Sequence, residues 1–120
     1  MRLAEALVKS TGSEHLNQVY FTNSGTEAVE GAMKLAKRST GRSEIISCKD
    51  SYHGSTQGAL SIMGNDEYKS RYRPLLPHCN QIIYNDENSL INITKDTAAV
   101  VIEPIQGGTG FVIPKNNFLL

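Results

Sequence analysis

The chain has 120 residues, 12 basic and 12 acidic side chains, 39% hydrophobic residues and two cysteines. That length suffices for one domain with a real core. The balanced charge argues against a nucleic-acid arm or a polybasic membrane patch, and no apolar run approaches the length of a membrane span.

Residues 3–9 place Leu3 and Leu7, with Ala6 beside them, on one face of a helix that Thr11-Gly12-Ser13 ends. This start is amphipathic rather than signal-like. Residues 18–22, rich in β-formers, read as a strand. The run Asn23-Ser24-Gly25-Thr26-Glu27-Ala28 follows and feeds a helix predicted over 25–38, with Ala28/Val29, Ala32 and Leu35/Ala36 at helical spacing. Lys37 and Arg38 suit the C-terminal end of its dipole and Gly41 its stop. A glycine-containing turn at a helix N-terminus is a ready anion site, because free N–H groups and the positive end of the dipole point at it. The same residues form a capping box, Ser24-x-x-Glu27, which any helix carries without a ligand. Both readings stand at this point.

Residues 44–48 read as a short apolar strand and Asp50-Ser51-Tyr52-His53-Gly54 as a loop. A short helix is expected over 55–62, closed by Gly64, then a polar turn or helix over 66–73 ended by Pro74 and Pro77. Residues 81–84 form the third expected strand. Residues 86–94 connect with one helical turn, and residues 97–102 form the fourth and most apolar strand, which runs into Glu103-Pro104 and a glycine-rich stretch. Strands alternating with helices predict an α/β fold, a mostly parallel sheet with helices on both faces. In such sheets ligands gather at the carboxyl ends of strands. The segments after three of the four strands, Asn23–Thr26, Ser51–Gly54 and Glu103–Gly107, are therefore expected on one edge.

Cys48 and Cys79 lie far apart, form no CxxC and read as reduced thiols of an intracellular protein. The chain opens in a helix without an N-cap, and Asn116-Asn117-Phe118-Leu119-Leu120 looks like the first turn of an amphipathic helix. Both ends suggest an internal piece of a larger protein.

Three stretches in register carry a resemblance: Phe21-Thr22-Asn23-Ser24-Gly25-Thr26-Glu27-Ala28 with Lys34-Leu35-Ala36-Lys37, then Tyr52-His53-Gly54, then Val101-Ile102-Glu103-Pro104-Ile105-Gln106-Gly107. Together they resemble the class III, ornithine/acetylornithine-type aminotransferases of fold type I, which use pyridoxal 5′-phosphate (PLP). The resemblance runs from about residue 3 to 120. It implies that residues 1–120 are part of the PLP-binding large domain (aspartate aminotransferase-like), without the N-terminal segment, the catalytic-lysine region and the small domain. It assigns the phosphate to the backbone of Gly25 and Thr26 and the side chain of Ser24 or Thr26. Tyr52 matches the aromatic that stacks on the pyridine ring, against the alternative of a core tyrosine. His53 is given a positioning or packing role, and His15 and His78 none. Glu103 matches a pocket glutamate, against the alternative of a structural carboxylate, and Gln106 is a weaker candidate of that kind.

The resemblance also implies what this chain lacks. The lysine that joins the cofactor and moves the proton, and the aspartate that pairs with the pyridine nitrogen, are expected beyond Leu120. Lys9, Lys34, Lys37, Lys49, Lys69, Lys95 and Lys115 stand in the wrong context to replace that lysine. No catalytic residue and no metal site is thus expected here, and the chain alone is expected to be inactive. The full-length protein would be a cytoplasmic homodimer that moves an amino group from a small-molecule donor to a 2-oxo acid or aldehyde. No nucleic-acid or membrane partner is expected. Alternatives are an aminomutase, racemase or decarboxylase on the same scaffold, or a phosphate-binding fragment without activity. Ser55 and Gly108 replace the arginine and glutamate common in ornithine-type members, which leaves the class but not the substrate.

Overall fold

A computed structural model describes residues 2–115 and 117–119. The expected helical start at Met1 and the Asn116 and Leu120 ends of the expected last turn lie outside them. Six regular elements follow in order: α1 (Arg2–Thr11), α2 (Gly25–Thr40), β1 (Glu44–Cys48), α3 (Gln57–Ser61), β2 (Cys79–Ile82) and β3 (Thr97–Val101). The connections carry 3₁₀ segments at Asp66–Tyr68, Ser70–Tyr72 and Glu87–Asn92.

The strands form a three-stranded sheet in the order β2-β1-β3, and both pairings are parallel. β1 is its centre, and Ile45, Ile46, Ser47 and Cys48 are all buried. Alternating residues serve opposite faces. Ile45 packs with Met33 and Ile62, beside Val29 and Val101. Ile46 and Cys48 pack with Ile82 and Tyr84, beside Ile102, Val112 and Phe118. A central strand covered on both faces reads as a continuous apolar run, and this is why Glu44-Ile45-Ile46-Ser47-Cys48 is so legible. Burying each isoleucine contributes on the order of 1.5–3 kcal/mol.

Helix α2 starts and stops as its residues dictate. Ser24 Oγ accepts the Glu27 N–H at 3.3 Å, the Glu27 carboxylate accepts the Asn23 N–H at 2.8 Å, and Gly41 closes the helix in the left-handed region with φ 68°. Its buried face differs from the expected one. Met33 is buried and Val29 half-buried, whereas Ala28, Ala32 and Leu35 are exposed. A helix face is chosen by what lies opposite it, and the sheet lies opposite Val29 and Met33. Helix α1 forms as expected but buries none of its residues.

The strand expected over residues 18–22 does not form, and Tyr20 and Phe21 are exposed. The physical reason is that strand propensity needs a ladder, and among the described residues this segment has no partner strand. The short helix expected over 55–62 spans only Gln57–Ser61, and the third strand lies two residues earlier than expected, because it pairs along β1 with Cys79 opposite Ile45 and Ile82 opposite Cys48.

Glu44 ties the sheet together at its N-terminal end. Its carboxylate accepts from the Thr97 hydroxyl on β3 and, at 2.7 Å, from the Asn80 amide on β2. The bond from Thr97, then that from Asn80, holds its pKa below the ordinary carboxylate range. A depressed folded pKa means the stabilisation is complete above the ordinary range and is lost as pH falls through the lowered value. Urea midpoints of wild type and Glu44→Gln should therefore differ at neutral pH and converge in acid. A gap that is constant through the acid range would contradict this account.

Candidate functional site

The parallel sheet ends β1 and β3 on the same edge. The chain beyond β1 supplies Ser51, Tyr52, His53 and Gly54, and the chain beyond β3 supplies Glu103. The two meet where the Tyr52 N–H donates to Glu103 Oε2 at 3.1 Å. The other carboxylate oxygen of Glu103 accepts the Gly107 N–H at 3.4 Å. Tyr84 OH donates to the carbonyls of Glu103 and Pro104 at 3.1 and 3.0 Å, fixing that segment from below. Gln106 is buried and turned away, its amide donating to the Lys49 carbonyl at 2.9 Å.

The N-terminus of α2 reaches the same place. Gly54 has φ 126°, and a Cβ there would overlap the Thr26 side chain, so only glycine permits this approach. Gly25, Thr26, Val29, Tyr52, His53, Gly54 and Ser55 enclose a hollow of about 450 Å³. Its Tyr52 wall is 54% exposed. Tyr52 and Glu103 also line a second hollow of about 370 Å³ with Asp50, Tyr68 and Gly107. The expected site residues thus gather as follows. Gly25, Thr26, Tyr52 and His53 surround the first hollow, Glu103 lies on the other side of Tyr52, and Ser24 sits at the helix cap outside the lining. Among the described residues, the Gly25 and Thr26 N–H groups find no protein acceptor.

His53 is buried, its backbone N–H donates to Met63 Sδ at 3.2 Å, and its ring Nε2 has no partner. Burial lowers its pKa despite the opposing charge of Glu103, so the ring is neutral at pH 7. His15 and His78 are exposed. Burial, with Glu103 adding to it, pushes the Cys48 thiol up to about 11; burial likewise raises Cys79 against the charges of Lys37 and Lys69. Both are free thiols rather than thiolates. No lysine lines the first hollow among the described residues, and no group of acidic, histidine or cysteine side chains there is arranged to hold a metal.

Sequence reasoning missed Glu30 and Thr56. Glu30 Oε1 accepts from Thr56 Oγ1 at 2.6 Å, from the Gly58 N–H at 2.8 Å and from the Ala59 N–H at 3.1 Å. Thr56 Oγ1 is 2.8 Å from Thr26 Oγ1, and the Thr56 N–H donates to Thr26 Oγ1 at 3.4 Å. Burial alone would raise the Glu30 pKa, but the bond from Thr56, then those from Ala59 and Gly58, bring it below the ordinary range. The available signal was spacing: Thr26 and Glu30 lie four apart, on one face of α2.

Gly54→Ala tests the close approach. The added methyl must displace Thr26 or force a strained φ, at a cost of about 1–3 kcal/mol. Denaturant unfolding should show that loss, and unchanged stability would refute the contact.

The sequence matches the family described as aminotransferase class-III over residues 1–120. It is 46% identical over 103 residues to the LysW-aminoadipate semialdehyde/glutamate semialdehyde transaminase of Sulfurisphaera tokodaii, covering 86% of this chain and 26% of that protein. Against the acetylornithine aminotransferase of Methanopyrus kandleri it is 42% identical over 117 residues, covering 97% and 30%. The fold superposes on the ornithine aminotransferase of Toxoplasma gondii, a structure with partial occupancy of PLP at its active site. The TM-score there is 0.86 at 27% identity, covering 98% of this chain and 30% of that one. The chain therefore spans 26% and 30% of the lengths of those two curated relatives.

Proposed function

The chain belongs to the aminotransferase class-III family, and we propose that the full-length protein is a PLP-dependent transaminase whose cofactor is cradled by this segment. The observation that carries the reading is the junction of the α2 N-terminus with the Tyr52 loop. A turn with two unengaged N–H donors and a free aromatic face border one hollow. The fit to PLP has further support: His53 lines the hollow, and its buried Nε2 lacks a partner.

In this reading the Gly25 and Thr26 N–H groups hold the phosphate, whose charge the helix dipole favours, and Ser24 fixes the turn as its helix cap. The Thr56 hydroxyl donates its hydrogen bond to the Glu30 carboxylate, so its oxygen is left to accept a hydrogen bond from the Thr26 hydroxyl. Thr26 accordingly serves the phosphate through its backbone rather than its hydroxyl. Tyr52 stacks on the ring, an offset contact worth on the order of 1 kcal/mol beyond area burial. Glu103 holds the Tyr52 loop through its N–H, and neutral His53 packs beneath, so neither moves the reaction's proton. Bound PLP supplies an electron sink for amino-group chemistry.

The remaining parts of the reading concern the whole protein. Residues 1–120 are part of a larger cofactor-binding domain, the covalent lysine lies outside this chain, and the segment alone is inactive. Two chains form a homodimer in the cytoplasm. Exposed Leu3, Leu7, Tyr20 and Phe21 support a covering partner surface, and the neutral thiols are in keeping with that compartment.

The full-length protein should be yellow, lose that colour with an amino donor in the absence of an acceptor, and transfer nitrogen to 2-oxoglutarate. Tyr52→Ala should weaken PLP binding roughly tenfold, as loss of a stack and its buried area implies. A colourless protein after reconstitution would end the cofactor reading. An amino group moved within one molecule would replace the transaminase by an aminomutase.

A further inference from the structure

Glu30 is an acid placed beneath a proposed phosphate site, where simple electrostatics disfavours it. It lies well inside α2, so it does not complement the dipole as Glu27 does. Its charge is instead engaged by three donors from another segment, one hydroxyl and two backbone N–H groups. Thr56 is the N-cap of α3 by position, yet its side chain makes no cap bond to that helix. Glu30 performs the capping from outside, accepting the Gly58 and Ala59 N–H groups that a cap hydroxyl would accept, while the Thr56 hydroxyl donates to Glu30.

The two helices close like a short zipper. Thr26 and Glu30 stand one turn apart on α2, and Gly54 and Gly58 stand four residues apart on the facing segment. A Cβ at Gly54 would overlap Thr26, and one at Gly58 would overlap the Glu30 carboxylate. Thr56 lies between these contacts and bonds to both Thr26 and Glu30. One end of this zipper carries the phosphate turn, and the facing segment carries Tyr52 two residues before Gly54.

We infer that Glu30 is a positioning residue for the cofactor. By clasping Thr56, Gly58 and Ala59 it sets the distance and angle between the phosphate turn on α2 and the aromatic ring of Tyr52. The inference rests on the PLP reading above. Glu30 touches neither the hollow nor the cofactor and acts through Thr56 and Thr26. Because a single ligand must satisfy both ends at once, a misplaced end weakens binding even where each end is intact.

The test uses the full-length protein with Glu30→Ala, Glu30→Gln and Thr56→Val, titrated with PLP and with pyridoxal, which lacks the phosphate. Far-UV circular dichroism reports folding, and the visible circular dichroism of bound cofactor reports ring orientation. Glu30→Ala is expected to fold, to bind PLP at least about tenfold more weakly, as lost hydrogen bonds to a charge imply, and to show an altered visible band. Its preference for PLP over pyridoxal should shrink. Glu30→Gln keeps an oxygen that accepts the Gly58 and Ala59 N–H groups, and should recover most of the affinity. Thr56→Val removes the hydroxyl that bridges Thr26 and Glu30 but leaves Glu30 its bonds from the Gly58 and Ala59 N–H groups, and should weaken PLP more than pyridoxal. It also carries the test if Glu30→Ala does not fold. A lower unfolding temperature with wild-type affinity and an unchanged visible band would overturn the inference and leave the PLP reading standing. A wild-type protein that binds no PLP would remove both.

Discussion

Parallel pairing of β1 with both neighbours forces the three strands to end on one edge, and everything at the site follows from that constraint. The chain leaving β1 and the chain leaving β3 must turn within a few ångströms of each other, and the Tyr52 N–H finds Glu103 there at 3.1 Å. An antiparallel arrangement would have sent one of those turns to the far end. Burial secures the pairing: Ile45 and Ile46 face opposite sides of the sheet and both are fully covered. A slip by one residue would exchange their partners and break two well-packed clusters at once.

Carboxylates link the elements, and they do so by accepting hydrogen bonds rather than by ion pairing. Glu44 spans all three strands, Glu103 spans the two loops at the site, and Glu30 spans α2 and α3. Each engages N–H or O–H groups from a different segment, so each one constrains geometry as well as charge. The ion pairs among the described residues join Asp66 to Lys69 and Arg73, and such surface pairs contribute little.

Much of this was legible in local patterns. The cap at Ser24, the stop at Gly41 and the central strand at 44–48 are written in residues that interact within a few positions of one another. The three motif segments were recognisable for the same reason, and the structure brings residues of each to one edge. The patterns failed where the partner is distant. Residues 18–22 have strand composition but no ladder, Leu35 has core character but faces away from the sheet, and Tyr84 leaves the strand to bond Glu103 and Pro104. For Glu30 the local spacing from Thr26 gives the face it shares but not its role, because all three of its donors come from residues 26 to 29 positions later.

The amino-acid sequence by itself determined the helices, the central strand, the family and the small residues that make close approaches possible, since propensity, capping and turn chemistry act over short spans. Only the tertiary structure decided which helix face is buried, that Thr26 bonds to Thr56, and what holds Tyr52 at its station. Those outcomes depend on hydrogen-bond direction and on surfaces brought together from segments distant in the chain, and no one-dimensional pattern carries that information.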